Sequence, residues 1–338
     1  MAKEICDGLH MAGQRIPSME KLRDEVLAKI PERYTCVPFL VKAGGVIDYY
    51  LARSNAARKA KETGKPHEVG WRTRKKPSQS CRIKPESVTR DGVYPKIAGR
   101  QIQSEYYKAI AESTFKRNNG RYILYVPIQD KRACETQASG AVVAIDPGIR
   151  TFLTWYAGDS CGKIGENDFN RIFRLCKDLD NMIGKRAQSR NHRQRRAMKK
   201  AIERLRNQIN DMINELHRKA ALFLVSNFDV ILLPTFETSQ MTKRTQRRIN
   251  TKSARSMLTF SHYRFKQYIM HKAKQHGKVV VDANEAYTTR TVSWTGEVKQ
   301  VGSAKYITTG KGNERVVVDY RLQRRTWHNA ACLESFLH

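Results

Sequence analysis

Three carboxylates stand just past the ends of three apolar runs in this chain, and their spacing is what could do chemistry. Asp146 closes the run Ala141 to Ile145, Glu237 follows the run Phe228 to Leu233, and Glu285 follows the run Lys278 to Asp282. A carboxylate at the edge of buried strands loses solvation unless a cation or a donor meets it. Carboxylates gathered at neighbouring strand ends of an α/β sheet can hold divalent ions. Two such ions about 4 Å apart activate a water and stabilise the leaving oxygen in phosphodiester cleavage. The same place equally suits an aspartate that accepts hydrogen bonds from the turn it precedes, here Pro147-Gly148.

Charge decides what such ions would serve. Lys and Arg number 63 against 32 Asp and Glu, a formal net charge of +31. A polyanion is the expected partner, bound tightly at low salt and released as salt rises, because each neutralised phosphate frees condensed counterions. With 40% hydrophobic residues among 338, the chain can bury one large core and a second module, unlike short basic packaging proteins. Carboxylates and charge together point to a nuclease acting on nucleic acid, with a non-catalytic nucleic-acid-binding protein as the other class.

Other functions fit poorly. The seven cysteines, Cys6, Cys36, Cys81, Cys134, Cys161, Cys176 and Cys332, form no CxxC pair and read as reduced thiols. No run approaches a membrane span, and MAKEICDGLH lacks a signal-peptide core. The expectation is a protein that is intracellular and not secreted, in the nucleus or in viral or host cytoplasm, with no membrane partner and acting as a monomer.

The elements that must position these residues fall into two parts. Residues 1–135 read as a nucleic-acid-recognition region of helices plus a small β module. Met19 to Ile30 and Tyr49 to Lys61 are expected helices, residues 62–100 short strands and loops, and Gly120 to Gln129 is β-rich. Within it, Trp71 lies among Arg72, Arg74, Lys75 and Lys76, a mixture suited to a phosphate backbone with a stacked base, or to a solvated loop. Asp130 to Gly140 is a polar linker.

Residues 136–338 read as the α/β domain that carries the carboxylates. Strands are expected at Ala141 to Ile145 and Thr151 to Tyr156, then a basic helical insertion at about 165–225. Lys185, Arg186, Arg190, Arg193, Arg195, Arg196, Lys199 and Lys200 occur there with no acid among them, which suits a polyanion better than water. Ile202, Leu205, Ile209, Met212, Ile213, Leu216 and Phe223 then recur at helical spacing and read as core. Another helix is expected over Ser256 to Gln275.

Five blocks in order, AIDPGIRTF, FDVILLPTFETSQM, HYRFKQ, NEAYTTRT and SWTGEVKQVGSAKYI, resemble Fanzor proteins, the eukaryotic and large-virus relatives of the TnpB nucleases of transposons. The resemblance implies an RNase H-like (RuvC) nuclease domain, a guide RNA, a DNA target and Mg²⁺ (or Mn²⁺). It makes Asp146 the first catalytic aspartate. The second-strand glutamate of TnpB would fall at Pro234, and Glu285 fits that role, with Glu237 as a possible substitute. Asp146 and Glu285 are thus the expected metal ligands.

The C-terminal part, a degenerate ribbon over about 288–338, departs from the family. Val292 and Thr295 stand where ribbon cysteines belong, so no zinc site is expected. The family's closing motif resembles DRDxNGARGIFL. Asp319 matches its first aspartate, but Arg321 then takes the place of the catalytic one; aligning Asn329 instead puts Trp327 there. A one-base shift would turn the codons for Leu333-Glu334-Ser335-Phe336 into ones able to encode Gly-Ile-Phe, so a shifted or decayed frame is expected. A gene without that out-of-frame motif would contradict it. Two outcomes follow: an RNA-guided DNA endonuclease, possible impairment included, or a catalytically inactive RNA-guided DNA-binding protein, a transposon relic.

Overall fold

The structure, a computed structural model, describes residues 1–70, 73, 76, 78–94, 101–102, 108–129, 140–158, 160–234, 238–243, 245, 249–283, 306–309 and 316–319, the last two segments as backbone. The chain divides into two compact units, Met1–Lys131 and Arg132–His338.

The first unit begins with three helices, α1 (Ala2–Met11), α2 (Met19–Ala28) and α3 (Phe39–Thr63). Ser18 starts α2 by accepting a hydrogen bond from the Lys21 amide. Cys6, Leu22, Val26 and Val46 form the small core between them. Helix α3 starts ten residues before the expected Tyr49, running through Gly44 and Gly45. Each interior glycine costs about 1 kcal/mol of helix propensity, but Ala43, Gly44 and Val46 are buried, so tertiary packing outweighs it. Strand β1 (Ser78–Ile83) follows, then a two-residue ribbon of β2 (Val88–Thr89) and β3 (Gly92–Val93), then β4 (Ser113–Asn118) and β5 (Arg121–Tyr125). β1, β4 and β5 form an antiparallel sheet with β4 in the middle.

The second unit is built on one mixed sheet. β6 (Val142–Pro147), β7 (Leu153–Tyr156) and β8 (Cys161–Ile164) make an antiparallel meander. Two long helices, α4 (Asp168–Gln188) and α5 (His192–Asn227), then carry the chain to β9 (Val230–Pro234), which lies parallel to β6. After one helical turn at Thr238–Met241 come α6 (Thr251–Phe260), α7 (His262–Gln275) and β10 (Val279–Ala283), parallel to β9. The order across the sheet is β10-β9-β6-β7-β8. Parallel neighbours require such crossovers, and the helices cover one face of the sheet. Val143, Ile145, Ile231 and Leu233 pack there against Phe169, Ile172, Ile209, Ile213, Leu216, Phe260 and Phe265.

Residues one step out of phase along each strand line the opposite face. Ala144 and Leu232, with Val142, Val230, Val281 and Ala283, form a thin cluster to which no described helix contributes. The expected helix over Ser256 to Gln275 is two helices, broken at Ser261, whose left-handed φ of 52° turns the chain. That turn lets Phe260 and His262 both point inward, and the burial of both rings offsets the cost of a left-handed serine. β11 (Tyr306–Thr309) and β12 (Val316–Asp319) pair as a separate antiparallel ribbon.

Candidate active site

Asp146 is the penultimate residue of β6 and is half-buried within contacts of its own. Strand alternation puts it on the face of Ala144, away from the helices. Its partner on β7 is Thr154. The β6–β9 register pairs Ala144 with Leu232, and two further steps bring Asp146 level with Pro234, which pairs with Ala283. Asp146, Pro234 and Ala283 therefore form a row at the C-terminal ends of three parallel strands. With strands about 4.8 Å apart, the outer members of that row are separated by roughly 10 Å. Glu237 and Glu285, three and two positions beyond the ends of β9 and β10, lie outside the described residues, as do Arg321, Trp327, Val292 and Thr295. Asp319 is the last residue of β12, opposite Tyr306.

The turn after Asp146 is held from below. Gly148 donates its amide to the Phe152 carbonyl at 3.1 Å, and a Cβ on Gly148 would sit 2.6 Å from the Thr151 oxygen, so only glycine closes this turn without displacement. His262, 3% exposed, donates from Nε2 to the Gly148 carbonyl at 3.2 Å. Ser256 donates its hydroxyl to the Ile149 carbonyl at 3.2 Å. The His262 ring stacks on buried Phe152 at 5.1 Å between centroids, and His217 stacks on the same ring at 5.2 Å while donating Nε2 to the Phe260 carbonyl at 2.8 Å.

Burial pulls both imidazoles down to about 4, outweighing their carbonyl partners, so both are neutral near pH 7 and carry the proton on Nε2. His262 supports the Asp146 turn directly, and His217 packs behind it through Phe152 and the Phe260 carbonyl. Sequence reading singled out the block containing His262 but gave the residue no role, because its partner lies 114 positions away.

Two other carboxylates of the sheet are committed elsewhere. Asp282 on β10 shares the helix-covered side with Val280 and pairs with Lys266 of α7. Asp229 lies at the opposite, N-terminal ends of the parallel strands, paired with Lys278; the two are 11% and 10% exposed. Its carboxylate accepts from the Ala141 amide at 3.3 Å, its own amide donates to the Ala141 carbonyl at 2.8 Å, and its carbonyl accepts from the Val279 amide at 2.8 Å. One residue thus ties β6, β9 and β10 in register. Among the described residues no three His, Cys, Asp or Glu side chains form a metal-binding group, and no helix is long and apolar enough to cross a membrane.

The eight cations of 185–200 come together at the tip of the α4–α5 hairpin. Asn191 caps α5 by accepting from the amides of Arg193 and Gln194, closing a three-residue turn. Beyond Leu179 on α4 and before Ile202 on α5 no residue is buried, so the last turns of the hairpin, about 13 Å of helix, project from the core. All eight are exposed except the half-buried Arg186, and among the described residues their one ion pair is Lys199 with Glu203 at 4.0 Å. Arg255 of α6 braces the base of this arm through Asp180 at 3.1 Å. In the first unit, Lys76 is exposed in a bend before β1, its amide donating to the Thr73 carbonyl at 3.1 Å, while Trp71, Arg72, Arg74 and Lys75 lie outside the described residues.

Residues 262–333 match the family described as Cas12f1-like, TNB domain. The chain is 27% identical over 197 residues to the putative transposase R186 of Acanthamoeba polyphaga mimivirus, covering 57% of this chain and 40% of that protein. It is 24% identical over 223 residues to the TnpB-like protein L79 of the same virus, covering 63% and 41%. The chain therefore spans about two fifths of the length of these curated relatives. A solved Cas12f1-sgRNA-target DNA complex overlaps 56% of this chain and 39% of its own at a TM-score of 0.39 and 16% identity, a likeness that carries no argument about the fold. By its sequence matches the chain is similar to TnpB-like proteins over roughly three fifths of its length, and its residues 262–333 match the Cas12f1-like domain.

Proposed function

We propose that the second unit is an RNase H-like, RuvC-type nuclease domain and that the chain is a guide-RNA-directed DNA endonuclease of the TnpB and Fanzor kind. The observation that carries this reading is the place of Asp146: the C-terminal end of β6, in a row with the ends of β9 and β10, on the sheet face that no described helix covers. An antiparallel meander continued by two parallel strands is the sheet such a domain requires. Glu285 follows Ala283 by two residues, and a two-residue step spans at most about 7 Å, enough to return a carboxylate toward Asp146. Glu237, three residues past Pro234, is the substitute.

Asp146 and Glu285 offer hard carboxylate oxygens, the donors that Mg²⁺ or Mn²⁺ takes, and a bound ion would activate water and steady the leaving oxygen. The residues of the chain do the rest. His262, Ser256 and Gly148 fix the turn so that the Asp146 carboxylate keeps one orientation, and the basic arm and the first unit hold guide RNA and target DNA by their phosphates. Cysteines without a CxxC pair and a nucleic-acid substrate support a protein that works within the cell.

A second reading, binding without cutting, is favoured by Arg321 standing where the resemblance puts the last catalytic aspartate. The test is cleavage of a matched double-stranded DNA in Mg²⁺ by protein purified with its co-expressed flanking RNA. Cutting by the wild type and none by Asp146→Ala supports the endonuclease; sequence-directed binding with no cutting by either supports the inert scaffold.

A further inference from the structure

The small sheet of the first unit has one face that the mechanism above does not use. The registers Gln79↔Arg117, Arg117↔Tyr122, Cys81↔Phe115 and Phe115↔Leu124 place these six residues on one side of β1, β4 and β5. On β1's other side Arg82 pairs with Asp48 of α3 and with Glu112, each at 3.7 Å. The Gln79–Tyr122 side forms an open groove of about 410 Å³. Tyr122 is 66% exposed, and its ring lies parallel to the ring of Phe115, 5.7 Å between centroids and 12° between planes. Phe115, half-buried, holds one face of the tyrosine and leaves the rest of a large flat ring in solvent. The Asn119-Gly120 turn, with φ of 46° and 77°, is the tight type that keeps the β4–β5 hairpin rigid.

The charge of this sheet says what covers it. The three strands carry Arg82, Lys116, Arg117 and Arg121 and no Asp or Glu. An exposed aromatic ring stacked on a second ring, beside an arginine and an amide, fits a π-face joined to a phosphate rather than an apolar peptide. Unpaired segments of RNA present such bases splayed from the stack, whereas the DNA strand held in a heteroduplex keeps its bases paired; the displaced DNA strand is the other source of unpaired bases, which the DNA arm of the test separates.

We propose that this face is a stacking platform for an unpaired base of bound RNA, with Tyr122 under the base and Arg117 at the neighbouring phosphate. The proposal rests on the RNA-binding part of the function proposed above and on none of its chemistry, so its test needs neither metal nor cleavage. Binding of an unstructured RNA oligonucleotide to the full chain is measured across salt concentrations, beside a DNA oligonucleotide of the same sequence and an abasic strand of equal length. Tyr122→Ala weakens RNA binding roughly five-fold or more, while Tyr122→Phe stays within about two-fold. Binding of the abasic strand does not change in either. Arg117→Gln lowers the slope of log K against log salt by about one, whereas Tyr122→Ala leaves it unaltered.

RNA binding by Tyr122→Ala within two-fold of wild type overturns the proposal and leaves the face to a protein partner. Equal losses on RNA and abasic strand, or a loss confined to DNA, overturn it as well. A chain that cuts DNA normally with Tyr122→Ala and shows no RNA defect sinks the platform alone; a chain that never cuts but loses RNA through Tyr122→Ala keeps it.

Discussion

Gly148, His262 and Asp146 show how single residues divide the work at the candidate site. The alanine that would replace Gly148 places its Cβ against a backbone oxygen, which cannot rotate away, so Gly148→Ala should cost about 1–3 kcal/mol and lower the melting temperature. An unchanged melting temperature would show that the turn relaxes freely. The paired histidines give the site a pH dependence. Unfolded, each binds its proton near 6.5; folded, near 4. Between those values the unfolded chain holds more protons, so stability rises with pH across that window and is lost as pH falls through it, by up to about 3 kcal/mol for each ring. Imidazole titration by NMR should find two rings still neutral at pH 5. If all nine histidines titrate near 6.5, the buried pair is not as described. Asp146 was legible in the sequence because a charged residue closing an apolar run is conspicuous. His262 and Ser256 were not legible as its supports, since hydrogen bonds to carbonyls 114 and 107 positions away leave no local pattern.

Among the elements, apolar runs located β6, β9 and β10 within a residue or two. In β6 and β9 both faces are buried, Ala144 and Leu232 on one side as much as Val143, Ile145, Ile231 and Leu233 on the other, and strands buried on both faces read as continuous apolar runs. β8 carries the sequence CGKI with alternate residues exposed at a sheet edge and gave no such signal. The break at Ser261 was equally silent, since a left-handed serine has no composition of its own. What ties the parallel strands is Asp229 with Lys278. Removing one partner leaves a buried charge unpaired, so Asp229→Ala should destabilise the second unit by about 3 kcal/mol or more, read as a lower urea midpoint. The arm behaves in the opposite way. Its cations are exposed and touch almost nothing, so changing Arg193, Arg195, Arg196, Lys199 and Lys200 together to Gln should leave the melting temperature within a degree or two. The same change should make the salt dependence of DNA binding shallower by up to about four in log–log slope. A full salt slope in that variant would remove the arm from the nucleic-acid interface.

For the whole molecule, a net charge of +31 is spread over two compact units, the second of which carries both the basic arm and Asp146; the proposed function has the chain meet polyanions and gather carboxylates. Composition made the first half of that statement legible, because counterion release depends on charge rather than fold. The second half depends on which strand ends fall side by side, a long-range fact that the row Asp146, Pro234, Ala283 supplies. The claim on which the account turns is that Asp146 and Glu285 close around one divalent ion. Electron paramagnetic resonance of Mn²⁺ added to the full chain, to Asp146→Asn and to Glu285→Gln tests it without guide, target or cleavage. A saturable bound ion in the wild type that is lost in both variants is the predicted result. The same bound signal in all three would contradict the account.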